Sequence, residues 1–210
     1  MSEMKNYKTE QEKFWAGEFG NQYTIRNKDL KLLASNTALF SKILDNTSNI
    51  NSVIEFGANI GLNLIAIKSV LPEVELSAIE INEKAIYDLK KVVGKGKVYH
   101  KSILDFKPDY KRDFVFTKGV LIHLNPDILN QVYDLIFETS DKYICVAEYY
   151  NPRPVEISYR GQKGFLFKRD FAGEVLDKYP NLKLVDYGFV YHRDNNFPQD
   201  DINWFLLEKN

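Results

Sequence analysis

Cysteine occurs once, at Cys145, so no disulfide can close within the chain and no thiolate cluster can hold zinc. That residue sits in the apolar run YICVAE, where a free thiol behaves as a small core hydrophobe. No stretch approaches the roughly eighteen consecutive apolar residues of a membrane span. The opening residues are polar where a secretory signal would be apolar, so the expected location is cytoplasmic. Neither sign of charge is in excess: 28 Lys and Arg against 29 Asp and Glu leave a net charge of -1. Proteins that grip long stretches of phosphate backbone usually carry a positive excess, and none exists here. These absences argue against nucleic acid, membrane and a metal as partners.

What the chain does hold is enough apolar material, 44% of 210 residues, for one substantial core. From Ile50 to Glu148 short β-rich runs (SVIEF, ELSAIE, KVYHKS, DFVFTK, YICVAE) alternate with helical patterns, the signature of parallel βαβ units. Helices are predicted over Gly61–Leu71, stopped by Pro72, over Glu83–Val93, stopped by Gly94, and over Pro126–Glu138. An amphipathic helix is predicted before the core, over Asp29–Leu44, and another after it, over Arg169–Tyr179. Two later runs, KLVDYGFVYH and NWFLLE, can pair antiparallel across the turn-rich DNNFPQDD. The expectation is one α/β domain over 1–210 with helices on both faces of the sheet. Residues 1–45 would form an N-terminal lid and helix, 50–150 a cofactor-binding core, and 151–210 an acceptor loop with the C-terminal strands.

The stretch VIEFGANIG runs from a strand ending near Glu55 through a turn at Gly57 to Gly61, which opens a helix. Glycines at such a turn let a ligand approach the backbone at a helix N-terminus. In the dinucleotide fingerprint GxGxxG the second glycine clears space for a pyrophosphate, and Asn59 occupies that place here. A cofactor without a pyrophosphate fits better. S-adenosyl-L-methionine (SAM) has none, and its positive sulfonium and amino groups suit a carboxylate such as Glu55. One strand later Glu80 is positioned to accept hydrogen bonds from both hydroxyls of an adenosine ribose, with Ile81 beside it. Taken singly, a glycine after a strand is often only a turn, and an acid there only a helix cap.

The next two strands add Ser102 and Ile103 at the adenine edge and face, then Thr117, Lys118 and Gly119 at the carboxyl rim of the sheet, where ligands bind. Ile103 fits ordinary core packing as well.

Several long motifs carry a more specific likeness. KFWAGEFGNQYTIRN, EFGANIGLNL, DFVFTKGVLIHLNP, EYYNPRPVEISYRG and LFKRDFAGE together resemble the pseudaminic acid biosynthesis-associated methylase family over nearly the whole chain. The resemblance implies a Rossmann-like class I methyltransferase fold: a mostly parallel seven-stranded sheet with an antiparallel last strand. It also implies SAM as donor, S-adenosyl-L-homocysteine (SAH) as product, and a setting in bacterial surface-polysaccharide biosynthesis. It leaves the acceptor open.

Methyl transfer needs the acceptor held in line and, for a hydroxyl or protonated amine, a base. His123, just after the fourth strand, is the candidate base, and a structural or helix-capping histidine is the alternative. The loop after the fifth strand concentrates Tyr149, Tyr150, Asn151, Arg160, Lys163 and Arg169. Arginine forks and tyrosine rings of this kind can clamp an anionic sugar or nucleotide sugar, and equally can form a solvated loop. In the N-terminal segment Trp15, Tyr23, Arg26 and Asn27 suit a lid over the cofactor, or an anchor of the terminus to the sheet. The function these readings favour is SAM-dependent transfer of a methyl group to an amine or hydroxyl of a small anionic acceptor. A non-catalytic adenosyl-cofactor-binding protein and a nicotinamide-dependent oxidoreductase are the alternatives.

Overall fold

The computed structural model describes residues 7–26 and 29–210, so the polar opening at 1–6 and Asn27 lie outside the described residues. Seven strands build the main sheet: β1 (Ser52–Phe56), β2 (Glu75–Glu80), β3 (Lys97–His100), β4 (Arg112–Lys118), β5 (Ser140–Glu148), β8 (Leu182–Val190) and β9 (Ile202–Lys209). Their order is β3-β2-β1-β4-β5-β9-β8. The pairs among β1 to β5 are parallel, and β9 runs antiparallel to both β5 and β8. The predicted mostly parallel sheet with an antiparallel last strand is therefore the observed one. A separate two-stranded hairpin, β6 (Val155–Glu156) with β7 (Phe167–Lys168), forms where the sequence predicted only a loop.

Alternation along each strand splits the core into two layers. In β4, Phe114 and Phe116 face one side and Val115 the other, as successive strand residues must. The first layer packs against α3 (Leu30–Leu44), α4 (Leu62–Val70) and α5 (Glu83–Val93); the second packs against α6 (Leu129–Thr139) and α7 (Phe171–Lys178). Cys145 is buried in the first layer, as expected of a core thiol. Helix boundaries shift by a residue or two from the predicted ones, and the stretch predicted as one helix from Pro126 begins as a 3-10 turn, Pro126–Ile128.

Each helix start has a local cause. Asp29, Asn82 and Asp170 cap α3, α5 and α7 by accepting from backbone N–H groups of the first turn. Thr9 and Glu12 form a reciprocal capping box on α1 (Glu10–Ala16). α1 and the following α2 (Glu18–Arg26) lie across the carboxyl ends of the strands, where Asn82 Nδ2 donates to the carbonyl of Trp15 at 3.0 Å. At the opposite end of the sheet the fully buried Arg112 donates to Asp109 at 2.6 Å and to the Tyr99 hydroxyl at 2.7 Å. No helix among the described residues is long and apolar enough to cross a membrane.

Candidate functional site

A cavity with a volume of about 180 Å3 opens at the carboxyl ends of β1, β2 and β4, beneath α1 and α2. Gly57, Asn59, Glu80 and Ile81 line one side, Ser102 and Ile103 the next, and Lys118, Gly119 and His123 the third. Trp15 of α1 and Tyr23 of α2 line it as well.

The turn after β1 explains its own residues. Gly57 has φ +79, and a Cβ there would stand 2.7 Å from Val120 Cγ2. Asn59 adopts φ 49, a left-handed conformation that asparagine tolerates better than most side chains. Its N–H donates to Glu80 Oε2 at 2.6 Å, and its Oδ1 accepts from the Thr24 hydroxyl at 3.2 Å. Asn59 therefore joins the turn, the second strand and α2. Gly61 departs from the sequence reading: it does not line the cavity, and a Cβ there would press on Leu89 and Val92 of α5. Helix packing, together with φ +86, requires that glycine.

Glu80 is buried, and its other oxygen accepts from the Asn82 N–H at 2.6 Å. Burial raises its pKa, and the N–H groups of Asn82 and Asn59 work against that rise. Two carboxylate oxygens have room for further donors, so both can still take ribose hydroxyls. Glu55 lies beneath the cavity floor and is fully buried, and burial pushes its pKa up to about 8. At neutral pH it holds its proton in this state, contrary to the carboxylate expected from sequence. Asn63 Nδ2 donates to its Oε1 at 2.6 Å, while Oε2 of Glu55 and Oδ1 of Asn63 accept nothing. Lys118, half-buried at the cavity wall, has its pKa lowered by burial, against the pull of Glu55, Asp200 and Glu148. No carboxylate among the described residues forms a salt bridge with it. Thr117 is buried in the sheet, and the exposed Arg26 is outside the cavity, its guanidinium 5.7 Å from the centre of the Phe19 ring.

His123 stands on a 3-10 turn, Leu121–His123, that Glu148 holds in place. The carboxylate of Glu148, at the end of β5, accepts from the N–H groups of Val120 at 3.0 Å and Leu121 at 3.1 Å. Burial pushes the pKa of Glu148 up to about 7, against these donors. His123 Nδ1 meets the carbonyl of Phe165 at 2.6 Å, which requires Nδ1 to carry the proton and leaves a lone pair on Nε2. Burial lowers the pKa of His123 to about 4. The rings of Trp15 and Tyr159 flank the imidazole, with centroids at 4.7 and 4.8 Å.

The acceptor-loop residues are placed differently from the cofactor set, for none of the six lines this cavity. Arg169 Nε pairs with Glu174 at 2.6 Å, and Asn151 Nδ2 donates to the carbonyl of Arg153 at 2.6 Å. Tyr149 is half-buried under Lys168, and Tyr150 leans on Phe205. Arg160 and Lys163 are exposed on the hairpin, Arg160 reaching over the rings of Phe19 and Tyr159. Sequence reasoning missed Gln11, Glu12, Asn36, Asn63 and Asn82, which also line the cavity. Only the capping pattern TxxE at Thr9–Glu12 was a readable signal among them, and it speaks of helix starts.

The fold finds parallels among solved structures. The 1,6-didemethyltoxoflavin-N1-methyltransferase of Burkholderia thailandensis, with bound 1,6-didemethyltoxoflavin and S-adenosylhomocysteine, matches with a TM-score of 0.70 at 13% identity, covering 94% of this chain and 86% of that one. The chain has the class I methyltransferase fold. The magnesium protoporphyrin IX methyltransferase of Synechocystis PCC 6803 with bound SAM matches at 0.67 and 10% identity, over 98% of this chain and 100% of that one. The N-methyltransferase of Bradyrhizobium japonicum WM9 matches at 0.63 and 12%, over 87% and 98%. No protein-family model and no curated protein sequence matches the chain. Within this fold the cavity occupies the crevice outside the strand ends, where α/β sheets bind ligands.

Proposed function

We propose that this protein is a SAM-dependent methyltransferase acting on a small molecule, with SAH as its product. The observation that carries the reading is one cavity joining Glu80 and the Gly57 turn at one end to an unprotonated His123 Nε2 at the other. The open acceptor oxygen of Asn63, which lines the cavity, suits the amino group of a methionine. Bound SAM would supply an electrophilic methyl carbon on a sulfonium.

The residues of the chain divide the remaining work. Glu80 accepts from the ribose hydroxyls, Ile81 and Ile103 cover the purine, and Trp15 and Tyr23 exclude water from above. His123 Nε2 takes the proton of an acceptor hydroxyl or amine. A weak base suffices, because the nucleophile becomes far more acidic as its bond to carbon forms. Trp15 and Tyr159 hold the imidazole between them, and Glu148 fixes the turn beneath it.

For the acceptor we propose an anionic, sugar-derived or nucleotide-linked metabolite of bacterial surface-glycan biosynthesis. Its support is Lys118 at the cavity wall, the exposed Arg160 and Lys163 on the adjoining hairpin, and the likeness of the sequence motifs to the methylase family named above. The test incubates the protein with SAM and a panel of free and nucleotide-linked acidic sugars and follows mass. A gain of one methyl group on one of them is expected. Binding of SAH with no transfer to any physiological small molecule would leave a cofactor-binding protein in place of an enzyme.

A further inference from the structure

On α1, Gln11 and Trp15 stand four residues apart and so project from one face of the helix, and both line the cavity. Gln11 is 8% exposed. Its Nε2 donates to the carbonyl of Gly164 at 2.7 Å, which fixes the orientation of the amide and leaves Oε1 buried with no donor. Trp15 Nε1 is likewise buried with no acceptor. Native proteins pair nearly all such atoms, so an open acceptor and an open donor on one helix face over a cavity point to a ligand carrying the complementary pair.

The place of α1 says which part of the ligand that is. Glu12 accepts from the Ser102 hydroxyl, and Lys8 Nζ donates to the carbonyl of Leu104 at 3.1 Å, so the helix is tied down over the loop after β3. Ile81, Ile103 and Leu104 form an apolar wall there, next to the ribose position at Glu80. Ser102 already gives its proton to Glu12 and accepts from the Leu104 N–H at 3.0 Å, so it is a poor acceptor for a further group. An adenine in this slot presents a 6-amino donor beside ring-nitrogen acceptors.

We propose that Gln11 and Trp15 read that edge: Gln11 Oε1 accepts from the 6-amino group, and Trp15 Nε1–H donates to a neighbouring ring nitrogen. The N-terminal helix is then a purine selector as well as a cover, favouring a 6-amino over a 6-oxo purine. This inference rests on the adenosyl-cofactor reading and names the residues that give it base specificity.

The test is calorimetry with SAH and S-inosyl-L-homocysteine on the wild type, Gln11→Leu and Trp15→Phe, each checked for a native melting transition. The wild type is expected to bind SAH about tenfold or more tighter than the inosyl analogue, the scale of one hydrogen bond exchanged for a repulsion. Gln11→Leu is expected to shrink that ratio towards one, and Trp15→Phe, which keeps the ring, to weaken SAH by about three- to tenfold. A role confined to anchoring the hairpin would lower both affinities equally, so an unchanged ratio in Gln11→Leu overturns the proposal while the cofactor reading stands. Failure of the wild type to bind SAH overturns both.

Discussion

His123 Nδ1 donates to the carbonyl of Phe165 at 2.6 Å, so one ring nitrogen of the cavity histidine is committed to the hairpin after β5. The other ring nitrogen is thereby fixed as the lone-pair side. Replacing His123 with Asn should cost about 100-fold in transfer rate, the lower end of general-base effects, with SAH affinity changed less than about threefold. Single-turnover transfer to the acceptor found by mass, set beside calorimetry, measures both; a full rate in the variant would assign His123 to structure alone.

Buried ionisable groups set opposing slopes of stability against pH. The pKa of His123 is about 4, below its ordinary value, so its contribution is complete above about pH 6.5 and is lost as pH falls towards 4. Glu55 and Glu148, raised to about 8 and 7, act in reverse: their contribution is complete below the ordinary carboxylate value and is lost as pH rises through neutrality. Melting temperature should therefore decline from pH 6.5 to 8.5. Glu55→Gln, which keeps an acceptor for Asn63, should flatten that decline, and an unaltered slope would contradict the assignment.

Gly57 and Gly119 both hold positive φ, +79 and +65, but only Gly57 has a neighbour in the way of a Cβ. Gly119→Ala should lose about 1 kcal/mol from backbone conformation, and Gly57→Ala roughly 2–3 kcal/mol because Val120 must move as well. Chemical denaturation of the two variants checks the difference, and equal losses would deny the contact with Val120.

Lys118 and Arg169 separate two accounts of acceptor binding. Arg169 is engaged by Glu174, which also accepts from the Tyr133 hydroxyl at 2.6 Å. Arg169→Met should cost about 1 kcal/mol of stability and leave the acceptor KM unchanged. Lys118→Met should raise that KM by about tenfold or more, the loss of one charge-assisted contact. The reverse pattern would return acceptor binding to the basic loop.

How far the sequence reached can be followed residue by residue. Glu80 and Asn59 were legible because spacing after a strand fixes which face of the sheet and which rim a residue occupies. The antiparallel ending was legible too, since two β-rich runs joined by a short polar turn have few other ways to pair. Gly61 was legible as necessary, with its reason hidden: the neighbour it must admit, Leu89, lies a whole βα unit away. The protonated state of Glu55 was illegible for a similar cause, because its pKa depends on burial by groups distant in the chain.

The sequence by itself determined the order of the main-sheet strands and their flanking helices, the two-sided core and the rim on which a ligand lies, all of which follow from periodicity and turn chemistry. Tertiary structure decided which side chains meet across that rim. It brought Gln11 to Gly164 and Trp15 to His123, set His123 against Phe165, and turned Arg169 to Glu174 and away from the cavity. Apart from Arg169 and Glu174, such pairings join residues of remote sequence position, and hydrogen-bond demand becomes specific only after packing has brought the partners within reach.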